Sequence, residues 1–321
     1  MRIAAALLLL PLFFGQEIAW RKDWKGTLKE AATSKKLVVL VFFNKGVKNC
    51  VRYQEVTLAD AGVVAALGKY LCVQIDPDGT DDENRLWQEH KEPSLPMTFI
   101  YEPTGKQLAV VGSLNPKIYG GMLAAIVPTY FDKIVPAREA LAKDPNQPDR
   151  HATLGEAFIT LDNPPDSSKH YASAVDLLAG KGDKAGALKL LGVQLEKYYE
   201  KKWYSPARGC CGKLAELDPS NETKLRPMAA WMLGMASCDE GRWAEAIDGL
   251  KAACEKYKGD ELQPKMMFTM ASAYMYAKDV DNAITVFETI VKDYPGTETA
   301  EISQVQADKL RAQRQRQNED K

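Results

Sequence analysis

The stretch LVVLVFFNKGVKNC, residues 37–50, decides the fold of the first half of this chain. Its first seven residues are apolar, and β-branched and aromatic side chains dominate them. Such a run predicts a strand buried on both faces, as in a parallel or mixed sheet. Polar residues and Gly46 follow, and a helix is expected to begin near Cys50.

The segments around this strand alternate between helix and strand patterns. Helices are expected over residues 20–36, 50–67, 81–91 and 116–128, and strands over 37–43, 70–75, 97–101 and 107–111. The last two strands are joined by the turn EPTG at 102–105. Strands separated by helices favour a layered α/β domain.

Three segments carry a family resemblance: VTLADAGVVAALGKYLCVQIDPD (56–78), SLPMTFIY (94–101) and EPTG. With the order of elements, they resemble thioredoxin-like domains, and most closely the exported modules that begin with a tryptophan-containing helix. The resemblance covers about residues 20–127. It implies an α/β thioredoxin-like domain, a mixed sheet flanked by helices, with Pro96 at the family's cis-proline position.

The resemblance also locates the family's redox site and shows where this sequence departs from it. Thioredoxin-like enzymes use Cys-x-x-Cys at a helix N-terminus, where the first thiol attacks and the second resolves the mixed disulfide. Aligning Cys50 with the second cysteine places Val47 at the first. Gly46 then replaces a tryptophan, and Val41 replaces a buried acid. Because valine forms no thiolate, dithiol exchange is excluded, and we assign no catalytic residue.

The surviving thiol of Cys50 leaves three interpretations open. It is a buried, inert small side chain, or it forms mixed disulfides alone, or it pairs with Cys72 in a structural disulfide. The resemblance further implies a groove for extended peptides beside the proline loop. The candidate groove residues are Gly46, Val47, Cys50, Leu95, Pro96 and Met97. The alternative is that the fold simply requires this turn.

The second half of the chain shows helical patterns that repeat. Residues 230–257 align with residues 267–295, so that Leu233 matches Met270. A weaker unit spans 191–219, and a more degenerate one begins at 152–158. The predicted repeat-packing residues are Leu233, Gly234, Ala246, Leu250, Ala271, Ala283 and Phe287.

These segments resemble tetratricopeptide repeats. Small residues let paired helices cross closely, larger ones fill the gap to the next repeat, and neighbouring repeats must stack. Stacking creates a surface suited to a protein or an extended peptide. The alternative is an array that only packs against the first domain.

The N-terminus predicts export. Met1 and Arg2 precede an apolar run over residues 3–14, which is too short to span a bilayer and is typical of a secretory signal peptide. The alternative is an uncleaved anchor, which would be the chain's one contact with a membrane. The expected organisation is a signal peptide (1–15), a thioredoxin-like domain (16–130), a helical connection and linker (131–149), helical repeats (150–310) and a polar tail (311–321).

The composition argues against some classes of function. The formal net charge of −1 gives no overall field that would attract nucleic acid. The six cysteines match no zinc spacing, and no metal or cofactor is predicted. The sequence therefore predicts an exported (periplasmic or secreted), non-catalytic adaptor or scaffold that binds a protein or peptide. The alternative is a thiol–disulfide oxidoreductase or redox chaperone that uses Cys50 alone.

Overall fold

The computed structural model describes residues 17–90, 94–112 and 114–319, without the side chains of 317–319. The predicted signal peptide at residues 1–15 lies outside the described residues. The described chain forms two compact units. The first runs to Val135 and includes Thr160–Asn163, and the second comprises Pro136–Ile159 and the chain from Pro164 onward.

The first unit is built on a mixed five-stranded sheet with strand order β1-β3-β2-β4-β5. Its strands are β1 (Trp20–Arg21), β2 (Val38–Phe42), β3 (Leu71–Ile75), β4 (Met97–Tyr101) and β5 (Gln107–Val111). β1, β3 and β2 are parallel, whereas β4 and β5 run antiparallel to their neighbours. Every residue of β2 is buried, as its continuous apolar run predicts for a central strand. The predicted α/β class is confirmed.

Helices cover both faces of this sheet. They are α1 (Trp24–Ser34), α2 (Lys48–Arg52), α3 (Ala61–Leu67), α4 (Asp81–His90) and α5 (Pro116–Pro128), with wider helical turns at Tyr53–Thr57 and Thr129–Ile134. Phe42 belongs to a core that includes Ala31 of α1 and Trp87 of α4. Side chains alternate along a strand, so Val41 faces the opposite side. There its strand partner Thr98 meets Tyr119 of α5.

Two helix predictions are wrong in their extent. Trp20–Arg21, expected to be helical, is a short strand paired with β3, and α1 begins after Asp23, whose carboxylate accepts from the Gly26 N–H. The helix expected over 50–67 is interrupted before α3, because the Asp60 carboxylate caps a new helix there.

The second half of the chain is helical, as predicted. Its helices are α6 (Val135–Lys143), α7 (Pro148–Thr160), α8 (Pro164–Gly180), α9 (Lys184–Glu200), α10 (Arg208–Leu217), α11 (Arg226–Asp239), α12 (Trp243–Lys256), α13 (Gln263–Tyr276), α14 (Val280–Asp293) and α15 (Glu298–Glu319). The predicted linker at 131–149 therefore contains α6, and the predicted tail at 311–321 continues α15.

Consecutive helices from α7 to α14 form pairs that share one packing scheme. The two helices of each pair share a residue pair sixteen positions apart. Gly155 and Tyr171, and Gly234 and Leu250, are in close contact, and Leu195 and Cys211, and Ala271 and Phe287, belong to common core clusters. Four positions before the second member lies a fully buried small residue: Ser167, Ala207, Ala246 or Ala283. In the other three pairs the first helix carries the small residue and the second helix the large one. In α9 and α10 this order is reversed, with leucine on the first helix and cysteine on the second.

All of the predicted packing residues except Leu233 occupy these positions. Gly234 is so close to Leu250 that an added Cβ would be 2.5 Å from a leucine methyl carbon. Leu250 also clusters with Met266 and Met270 of α13. It therefore fills space within its own pair and toward the next one. Leu233 is half-buried and packs on the preceding cluster.

Candidate functional site

The position that the family resemblance assigns to the redox motif is the loop between β2 and α2. Val47 is the N-cap residue of α2, and it makes no side-chain cap hydrogen bond. Cys50 lies in the first turn of this helix and is fully buried. The residue at the attacking position is thus an aliphatic side chain, and the remaining thiol points into the protein.

Asn44 organises this loop. Its backbone N–H donates to the Sγ atom of Cys50 at 3.4 Å, and its side-chain amide donates to Asp76 at 3.0 Å and to Asp78 at 2.6 Å. Its side-chain oxygen accepts from the backbone N–H of Gly46 at 2.7 Å. One side chain therefore ties the loop to the turn that follows β3.

Sequence reasoning did not identify Asn44 as a functional residue. The one sequence feature that could have indicated Asn44 is its position directly after the buried strand β2. The parallel strand β3 ends at the same side of the sheet. Asp76 and Asp78, in the turn after β3, accept these hydrogen bonds. Among the described residues, no group of three or more His, Cys, Asp or Glu side chains is arranged to hold a metal ion.

The electrostatics around Cys50 oppose thiolate formation. Burial raises the pKa of the Cys50 thiol, the Asp76 carboxylate raises it further, and only the Asn44 N–H acts in the other direction. A nucleophilic cysteine needs the opposite, a lowered pKa and some exposure. Cys50 and Cys72 are both free thiols, so the structure contains no disulfide between them.

The proline loop leaves the sheet at the same edge as this site. The Leu95–Pro96 peptide bond is cis. Pro96 is buried, whereas Leu95 and Met97 are half-buried. Met97 pairs with Phe42, so the loop that precedes β4 and the loop that follows β2 start from one strand pair. The sheet brings the predicted groove residues to one edge.

No acid replaces the one that the resemblance places at residue 41. Val41 pairs with Thr98, whose hydroxyl lies 3.0 Å from the Tyr119 hydroxyl. The Tyr53 hydroxyl completes the network at 2.6 Å from that of Tyr119. Burial raises the pKa of Tyr119 to about 12 and that of Tyr53 well above its usual value. These hydroxyls stay protonated near neutral pH and cannot serve as a proton-accepting base.

A second candidate site is a groove of about 340 Å³ on the helical unit, between α11, α13 and α15. We call it the repeat groove. It is lined by Trp231, Met235, Cys238, Lys265, Phe268, Thr269, Ser272, Tyr276, Thr299 and Ile302. None of the predicted repeat-packing residues lines it, because those residues are used between helices.

The repeat groove combines exposed apolar side chains with a tryptophan ring that is held in place by a hydrogen bond. Tyr276 is 62 % exposed and stacks on Trp243 at 4.9 Å, and Ile302 is 43 % exposed. The Trp231 indole N–H donates to Thr269 Oγ1 at 2.9 Å, which fixes the indole ring. Lys265 holds its ammonium 5.6 Å from the centre of that ring. The groove can bury apolar side chains and offers a cation beside them.

Among the residues that the structure describes, no helix is both long and apolar enough to cross a membrane.

Comparisons with known proteins match both halves of the chain. A protein-family model described as thioredoxin-like matches residues 19–103, and one described as a tetratricopeptide repeat matches residues 266–297. A solved structure titled "Functional Characterization of Pseudomonas Aeruginosa pilF" is 20 % identical in sequence, covers 59 % of this chain and 91 % of that chain, and gives a TM-score of 0.31. No curated protein matches significantly. The two family resemblances inferred from sequence are confirmed.

Proposed function

Since the chain carries a thioredoxin-like domain and a tetratricopeptide repeat, we propose that it is an exported, non-catalytic adaptor that binds a protein or peptide segment in the repeat groove. The observation that carries the proposal is the exposure of Tyr276 and Ile302 beside the fixed Trp231 ring. The apolar run after Arg2 supports export.

The repeat groove has the composition of a binding surface. Clustered exposed apolar side chains mark interaction sites on soluble proteins. Tyrosine and tryptophan are the residues most enriched among those that dominate binding energy. Tyr276 is held by its stacking contact with Trp243, so little side-chain freedom is lost when a partner binds.

Lys265 adds a charge preference to the bound segment. Its ammonium lies over the Trp231 ring and has no carboxylate partner among the described residues. A segment that places an apolar side chain on Tyr276 and Ile302, with an acidic residue nearby, satisfies both features. We therefore infer that the preferred ligand is an apolar peptide segment with an adjacent aspartate or glutamate.

The same proposal assigns no thiol chemistry to the first unit. Val47 cannot attack a disulfide, and burial raises the pKa of the Cys50 thiol. The single-cysteine alternative would require an exposed thiolate at Cys50, and that side chain is fully buried.

The test is a selection of displayed peptides on the full chain, followed by affinity measurements on the enriched sequences. The affinities are then compared between two variants. Ile302→Asp changes the repeat groove, and the matched control Ile118→Asp changes a 54 %-exposed position of α5 outside it. We expect Ile302→Asp to weaken binding about tenfold or more, because a buried unpaired carboxylate opposes the apolar contact and faces the ligand's acid. Ile118→Asp should change nothing. Equal loss in both variants, or no enrichment, would count against the proposal.

A further inference from the structure

The helical unit contains a second cavity that the proposed function does not use. It measures about 450 Å³ and lies between α8, α9 and α10. We call it the amide cavity. Its lining consists of Ser168, Lys169, Ala172, Val175, Asp176, Leu191, Gln194, Pro206, Gly209, Cys210 and Lys213. It shares no lining residue with the repeat groove, and its volume is within the range of small-molecule sites.

Gln194 is the feature that points to a ligand. The residue is only 3 % exposed, and no hydrogen bond joins its carboxamide to another described residue. Among the described residues, no fully buried side-chain nitrogen or oxygen lacks a partner, so the carboxamide of Gln194 keeps a small exposed surface and is free to bond water or a ligand. The carboxamide borders the amide cavity and offers one acceptor and one donor group to an occupant.

Ser168 offers a further acceptor. The Ser167 hydroxyl donates to the Gly155 carbonyl at 2.9 Å, and the Tyr198 hydroxyl donates to Ser167 at 3.1 Å. Because the Tyr198 hydroxyl has one proton and donates it to Ser167, it acts as the acceptor toward Ser168. The Ser168 hydroxyl therefore donates to Tyr198 at 2.9 Å. The lone pairs of Ser168 remain for a donor in the amide cavity.

The charged residues of the amide cavity favour an anion. Asp176 is already bound to Lys213 at 3.1 Å, and Lys213 also contacts Glu216 at 3.2 Å. Lys169 has no carboxylate partner in the described part of the chain, so its ammonium remains available. A ligand carboxylate would pair with Lys169.

From this juxtaposition we propose that the amide cavity binds the chemical unit formed by an amide next to a free carboxylate, with an aliphatic side chain. The ligand amide would pair with Gln194 and Ser168, the carboxylate with Lys169, and the side chain would contact Val175, Leu191 and neighbouring apolar walls. A free N-acylated amino acid and the C-terminal residue of a peptide both carry this unit.

The experiment measures binding to the full chain by calorimetry and ligand-observed NMR. The probes are N-acetyl-L-leucine, its C-terminal amide, and an octapeptide with a free C-terminal leucine. For a ligand the size of N-acetyl-L-leucine we expect a dissociation constant on the order of 1 mM or below. The C-terminal amide should bind about tenfold more weakly, because it lacks the charge that pairs with Lys169. Binding of the octapeptide as well would identify a chain end as the natural source, and binding of the small compound alone would identify a free metabolite.

A glycine in the cavity wall supplies a matched pair of variants. Apart from the neighbouring residues and backbone of its own helix, a Cβ added at Gly209 would meet no atom of the described residues within 4 Å, and the same is true at Gly212, on the same helix outside the cavity. Gly209→Leu should fill the amide cavity and abolish binding, while Gly212→Leu should bind like the natural chain. Both variants should fold, because leucine favours helix over glycine.

Gln194→Leu separates a binding role from a structural one. We expect affinity to fall about tenfold and the melting temperature not to fall, because the carboxamide makes no hydrogen bond to another described residue. The proposal fails if neither carboxylate probe binds saturably, or if Gly209→Leu binds as well as Gly212→Leu. It also fails if Gln194→Leu lowers the melting temperature and leaves affinity unchanged.

Discussion

The backbone N–H of Asn44 donates to the Sγ atom of Cys50 across 3.4 Å, and the same asparagine holds the loop above that thiol. The thiol accepts a hydrogen bond from the backbone and has no exposed surface in this structure. The contact supports the proposal that Cys50 is a structural residue and not a nucleophile.

Native cysteines should react in the order of their exposure. Cys238 and Cys254 are half-buried, and burial raises the pKa of each to about 11. Cys50 is fully buried beneath its loop. Timed alkylation with mass spectrometry should therefore label Cys238 and Cys254 well before Cys50. Labelling of Cys50 first would show that this thiol is exposed and nucleophilic.

Asn44→Ala should destabilise the first unit by about 1–2 kcal/mol, because it removes hydrogen bonds to Asp76, Asp78 and the Gly46 N–H. The matched control is Asn49→Ala on α2, where the asparagine is exposed and makes no side-chain hydrogen bond among the described residues. Its effect should stay within about 0.5 kcal/mol. Urea unfolding of both variants provides the comparison, and equal effects would refute the role given to Asn44.

Gly234→Ala should cost about 1–3 kcal/mol, because the new methyl group would overlap the Leu250 side chain. Leu250→Ala in the same chain should reduce the cost of that substitution, which a double-mutant cycle measures. Gly249→Ala on α12 is the control, since an added Cβ there meets no described atom within 4 Å. It should be neutral or stabilising by up to about 1 kcal/mol. Additive effects at Gly234 and Leu250 would contradict the close crossing.

The pH dependence of stability should contain a contribution from His170. Its Nδ1 lies 3.1 Å from Nδ1 of His151, and burial followed by repulsion from His151 lowers the pKa of His170 to about 4. Unfolded histidine has a pKa of about 6.5, so the unfolded chain binds more protons between these values. The free energy of unfolding should therefore fall as pH decreases from about 6.5 to about 4, by about 1 kcal/mol after allowance for solvent screening.

His170→Gln tests this assignment, because it removes the titrating ring and keeps an amide that can donate to His151. Denaturant unfolding at several pH values across the window should show a smaller pH dependence in the variant. An unchanged pH dependence would show that other groups produce the acid sensitivity.

The sequence predicted those parts of the fold that rest on local patterns. The run over residues 37–43 specified a central strand, and the matched segments at 230–257 and 267–295 specified paired helices. It did not predict β1, because two residues form no periodic pattern and pair only through the register of β3. The break before α3 was missed because a capping aspartate, Asp60, interrupts an otherwise helical segment.

The candidate sites depended more on tertiary structure. Val47 and Cys50 were found by alignment to a motif, but the enclosure of the thiol arises from Asn44 and its contacts with the turn after β3. The amide cavity could not be found from sequence. Gln194 has a helical position like many others, and only the packing of three helices places it in the wall of a cavity.

The most direct test of the central claim compares one selected peptide on three proteins: the natural chain, Cys50→Ala and Ile302→Asp. Affinities are measured with and without reductant. We predict the same affinity for the natural chain and Cys50→Ala in both conditions, and a loss of about tenfold or more for Ile302→Asp. Binding that disappears in Cys50→Ala or under reductant, and persists in Ile302→Asp, would contradict a non-catalytic adaptor that uses the repeat groove.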